Sequence, residues 1–155
     1  MRLKFLCKTH RHSLLEDTEA ARSLWLGLCD QMQAEPAVPT PQRVRAAGTA
    51  LEAAGIYLMA NPVADAGLLH RYHETAQQLI ELLVQLRETR LAIVVISGAS
   101  ALVEHLARNG ADREAALAVC RRLTLQGMGR IEQSGRHRPA TGAQRPAMVR
   151  TATVH

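Results

Sequence analysis

The chain has 155 residues, 47% of them hydrophobic, which is one domain's length with enough apolar content for a continuous core and excludes global disorder. Aromatic residues make up only 3%, so Leu, Val, Ile and Ala must build that core, which suits packed helices and leaves no stacking platform for single-stranded nucleic acid. The net charge of +5 gathers at the C-terminal end, where Arg136, Arg138, Arg145 and Arg150 have no Asp or Glu beside them and leave residues 1–135 near +1.

Three widely spaced cysteines, Cys7, Cys29 and Cys120, do not make a disulfide framework. The basic start at Met1 is followed by too short an apolar run for a signal segment. Wholly apolar runs such as Leu91 to Ile96 fall short of the roughly 20 residues a bilayer requires. The expectation is a cytoplasmic protein with no membrane contact.

In chain order, residues 1–12 read as a leader, 13–129 as the helical domain and 130–155 as a flexible basic tail. Ser13 and Glu16 have the spacing of a capping box, and Leu14, Thr18, Ala21, Trp25, Leu28 and Met32 follow on one face. The spacing predicts a helix over 14–33 that stops before the prolines at 36 and 39. Thr40-Pro41 supplies an N-cap and a first-turn proline for a second helix, with Val44, Ala47, Leu51, Ala54 and Leu58 inward, ending at Asn61-Pro62. Asp65 caps a third, whose stripe is Leu69, Tyr72, Ala76, Leu79, Leu83 and Leu86. The β-branched run after Leu91 resembles a strand by itself, but it has no second strand to pair with. Val95, Ala99, Leu102 and Leu106 continue its helical spacing, so 91–108 is expected to be helical and to end at Asn109-Gly110. Asp112 caps a fifth helix, with Ala116, Val119 and Leu123 inward, to about Met128; from Gly129 the periodicity is lost. The fold class is therefore all-α, about five antiparallel helices in a hairpin array or a bundle.

Ala99, Leu102, Leu106, Gly110, Ala115 and Val119 have a spacing that resembles a tetratricopeptide helical hairpin, and Ala50, Ala54, Tyr57 and Pro62 resemble the second helix of another. The likeness covers about two partial repeats. It implies a scaffold that grips a peptide or partner helix in a concave groove, and it carries over no catalytic residue.

Cys7 and His10, with His12 nearby, have a Cys-x-x-His spacing that a metal can use. His70 and His73, one helical turn apart, would complete a zinc site of one Cys and three His. The simpler reading makes the first group a basic leader and leaves His70 and His73 exposed beside the core position Tyr72. Nucleophile elbows, phosphate loops and paired acid–base residues are absent from the sequence, so no catalytic residue and no cofactor other than a possible zinc is assigned. A helix-turn-helix over 99–123 would lead its recognition helix with Asp112 and Glu114, whose carboxylates repel phosphates.

The expectation that follows is a non-enzymatic protein–protein interaction module, an adaptor for a partner protein or peptide. Trp25, Tyr57 and Tyr72 are its candidate anchors, although a Trp on a helical stripe is more often core. Self-association into a homodimer is a version of the same idea. The alternatives are a nucleic-acid-associated regulator acting through Arg136, Arg138, Arg145 and Arg150, whose binding would weaken with salt, and a zinc-stabilised helical domain.

Overall fold

The computed structural model describes residues 4–34 and 38–136. These form six helices and no strand: α1 (Lys8–Glu16), α2 (Thr18–Ala34), α3 (Pro41–Ala60), α4 (Ala66–Gln85), α5 (Thr89–Arg108) and α6 (Arg113–Arg136). The β-branched run after Leu91 lies wholly within α5. Residues 35–37 and those after Arg136, where the rest of the expected tail falls, lie outside the described residues.

α4 is the centre of the architecture. It packs against α3, α5 and α6 and meets α2 at Thr75, while α2 pairs with α3 and α5 with α6. This is why α4 buries far more than its predicted stripe, including Thr75, Ile80, Leu82 and Val84. Each such apolar side chain contributes about 1.5–3 kcal/mol on burial. α3 meets its neighbours through alanines, with Ala47, Ala50, Ala53 and Ala54 fully buried, so α2 and α4 approach it closely from two sides. α3 and α5 lie on either side of α4 and touch only slightly.

Three caps match their sequence signals. The Thr40 hydroxyl accepts from the Arg43 N–H at 3.2 Å, Asp65 from Leu68 at 2.8 Å and Asp112 from Ala115 at 3.0 Å. Gly110 turns the α5–α6 hairpin at φ +113, a conformation that favours glycine.

The N-terminal boundary is different. Ser13 is no N-cap; it lies inside α1, and its carbonyl accepts from the Asp17 N–H at 3.0 Å. α1 starts at Lys8, where the Cys7 sulfur accepts from the His10 N–H at 3.5 Å, so much of the supposed leader is helical. The break comes at Asp17 (φ −123, ψ 91), whose carboxylate takes the Ala20 N–H at 2.9 Å and thereby caps α2.

The C-terminal boundary moves as well. α6 runs eight residues past Met128 because its last turns have tertiary partners. Arg130 Nη1 reaches the Gln77 side-chain oxygen at 3.1 Å and Glu81 at 3.3 Å, and Ile131 packs on the core. Those contacts outweigh the low helix propensity of Gly127, Gly129 and Gly135.

α5 is, among the described residues, the one helix long and apolar enough to cross a membrane by length and composition. Its Ala92, Val95, Ile96, Ala99, Val103 and Leu106 are buried within the bundle. The opposite face is uncharged from Leu91 to Val103 and largely exposed, including Ile93, Ser97, Gly98 and Ala101.

Candidate functional site

Because α3 and α5 are held apart by α4, a cavity of about 310 Å³ opens between them, within the size range of ligand pockets. Gly48, Leu51, Gly55, Ile56 and Met59 of α3 form one wall. Val94, Gly98, Ala99 and Leu102 of α5 form the other, and Tyr72 and Leu79 of α4 line it from between them. Gly48 and Gly55 are seven residues apart, two helical turns, so both open the same face of α3. The rim is apolar and solvated: Leu15 is 55% exposed and Met59 51%. A second depression of about 430 Å³ lies between α5 and α6, but Glu104, Arg108 and Arg113 give it a charged edge.

One end of the groove is polar. The Phe5 and Leu6 backbone N–H groups both donate to Glu52 Oε2, at 2.9 and 3.0 Å, and Arg11 Nη1 donates to Glu52 Oε1 at 2.5 Å. Glu52 is only 11% exposed, so these three donors supply what a largely desolvated carboxylate requires.

Of the three expected anchors, Tyr72 reaches this site. It is 3% exposed and lines the cavity, and burial pushes its hydroxyl well above the ordinary phenol range. Trp25 is not an exposed anchor: it is fully buried, and its indole N–H donates to Thr75 Oγ1 at 2.9 Å. The stripe that carries it faces α3 and α4, which leaves it no solvent face. Tyr57 lies half-buried in the seam between α2 and α3, 6.4 Å from the Trp25 ring, with the Arg22 guanidinium 5.9 Å from its own. It does not line the groove.

The four expected metal ligands do not assemble. α1, which Cys7 caps and which carries His10, packs on α2 and α3, whereas His70 and His73 stack 6.3 Å apart on α4. His70 pairs with Glu74 at 3.4 Å. Among the described residues no three His, Cys, Asp or Glu side chains are grouped to hold a metal. Of the nucleic-acid candidates, Arg136 is the last residue of α6, and Arg138, Arg145 and Arg150 lie outside the described residues. Burial raises the thiol pKa of Cys29 and Cys120, which keeps both away from the thiolate form.

His73 is buried, not exposed, because α6 covers a third side of α4. Neither ring nitrogen has a hydrogen-bond partner. Burial, then the positive charges of Arg122 and His70, lower its pKa; Glu74 opposes and Arg130 adds to the shift. Protonation therefore favours the unfolded chain, where the ordinary value near 6.5 holds. Stability should be full above that value and fall as the pH drops from it toward the lower folded-state pKa. Urea midpoints measured from pH 7.5 to about 5 should show this slope, and His73→Leu should flatten it. An identical slope in both proteins would assign the pH dependence elsewhere.

The groove residues Gly48, Glu52, Gly55 and Gly98 were not singled out by sequence reasoning. Their signals were a pair of glycines at heptad spacing and an uncharged run in α5. Comparison with protein-family models, curated proteins and solved structures finds no match.

Proposed function

We propose that this chain is a non-enzymatic protein-interaction module that buries apolar side chains of a partner protein's segment in the groove between α3 and α5. The observation that carries this reading is an apolar cavity continuous with a solvent-exposed helix face that has no charge for thirteen residues. Helix-in-groove recognition uses such a surface: apolar anchors enter the cavity while small residues let the partner backbone come close. Gly55 and Gly98 keep the two walls low, and Met59, half exposed at the rim, gains from losing contact with water. The α5–α6 hairpin, turned at Gly110, is where the tetratricopeptide resemblance is strongest and supports the same reading.

Gly98 provides the test. It is exposed, and a Cβ built there meets nothing within 4 Å, so Gly98→Glu should fold normally while placing a carboxylate at the groove mouth. Immobilised wild-type protein should retain a partner from native lysate that Gly98→Glu loses. Leu125→Glu, a charge placed on the exposed face of α6, should keep it. Equal retention by all three would remove the groove as the docking site.

A further inference from the structure

The non-helical segment before α1 already sits at this groove, and its contacts define the chemistry that the groove accepts. Two consecutive main-chain N–H groups, from Phe5 and Leu6, meet one oxygen of Glu52, while Arg11 takes the other. The Phe5 ring packs so closely over Gly48 that a Cβ there would collide with it. Glycine at 48 is thus what makes room for the ring. Phe5 and Arg11 both line the cavity.

The arm that carries these groups is lightly held. α1 is nine residues long, buries only Leu14, and is separated from α2 by the non-helical Asp17. Its remaining attachments are the Glu52 bonds, the Phe5 seat and the partly buried Leu6. A segment with few buried apolar contacts belongs to the low-stability part of a fold and can open by itself.

We propose that residues 4–16 are a displaceable internal ligand of the α3/α5 groove, and that the partner competing with them carries the same chemistry. That chemistry is an aromatic residue followed by an aliphatic one, both with free backbone N–H groups, and an arginine downstream. The inference rests on the groove being a docking site and adds what it reads and how it is kept closed. A tethered segment competes at an effective concentration near millimolar, so it sets a threshold that the partner has to exceed.

The test uses the full chain under reducing conditions and a fluorescein-labelled synthetic peptide with the sequence of residues 4–16. Fluorescence polarisation reads peptide binding, and hydrogen exchange reads the Phe5 and Leu6 amides. The Phe5→Ala chain should bind the peptide about tenfold or more tighter than wild type, because the internal competitor is weakened. A peptide with Ala in place of its Phe should not bind. Glu52→Ala should abolish peptide binding and expose the Phe5 and Leu6 amides to exchange. Equal peptide affinity for the wild-type and Phe5→Ala chains would overturn the internal-ligand inference while leaving the groove a docking site. Unchanged amide protection in Glu52→Ala would overturn it too. No peptide binding to any form would overturn the internal-ligand inference as well, while the groove as a docking site stands or falls with Gly98→Glu.

Discussion

Trp25→Ala is expected to lower the free energy of unfolding by roughly 3–5 kcal/mol, the range for removing a fully buried large aromatic side chain. Trp25 has no exposed surface, and truncation would leave a cavity where α2 faces α3 and α4. It would also remove the N–H that Thr75 Oγ1 accepts. Thr75 is itself 1% exposed and donates onward to the Arg71 carbonyl at 2.9 Å, so the indole joins a short buried chain of hydrogen bonds. Trp25→Phe keeps much of the packing and loses chiefly that donor, with an expected cost of about 1–2 kcal/mol. Trp25 is the only tryptophan, so the transition has to be followed by circular dichroism instead of fluorescence. Stability close to wild type in Trp25→Ala would contradict the burial and return the side chain to the list of anchors.

The two roles of Trp25 could be separated only by knowing what covers α2, and that marks the limit of the sequence more generally. Caps at Thr40, Asp65 and Asp112 were legible because a capping side chain and the apolar stripe after it pointed to the same boundary. The break at Asp17 was not. Leu14 and Thr18 continue the helical spacing straight across it, so periodicity is blind to a residue that ends one helix and caps the next. The extension of α6 beyond Met128 was hidden for the opposite reason. Its local composition is poor for a helix, and the contacts that hold it, from Arg130 to Gln77 and Glu81, span 53 and 49 positions.

The groove shows the same division. Tyr72 could be singled out from its stripe, and the uncharged run in α5 and the paired glycines in α3 are visible once sought. Their opposition across a cavity depends on α4 lying between α3 and α5, which no local pattern encodes. Glu52 gives less warning still: an acidic residue on an alanine-rich helix carries no sign that it will receive amides 46 and 47 residues away. His73 was misplaced by a one-stripe view of α4. A central helix is covered on several sides, and positions off the main stripe are buried against α6.

The seating of α6 leads to the other large effect. At Gly127, α6 comes so close to its neighbours that a built Cβ would lie 2.6 Å from Ile96 Cδ1 and 2.9 Å from Cγ1, with Ile80 Cδ1 at 3.8 Å. The end of the Ile96 side chain can turn away from a single methyl group, so the gain in helix propensity should offset much of the strain in Gly127→Ala and keep it within about 1 kcal/mol of wild type. Gly127→Leu cannot be absorbed in this way and should cost about 1–3 kcal/mol or more by overpacking. Combining it with Ile96→Ala should cost less than the two separate losses by on the order of 1 kcal/mol, the coupling expected of side chains that compete for one space. Strict additivity in that cycle would mean that α6 does not rest on Ile96. The outcome matters for the groove because α5 has two working faces. Ile96 seats it against α6, and Val94, Gly98 and Leu102 on its other side line the cavity. A side chain that pushes α5 away from α6 therefore moves the groove wall toward α3. Gly127→Leu should accordingly weaken docking of the residue 4–16 peptide to the Phe5→Ala chain, although position 127 lies outside the cavity.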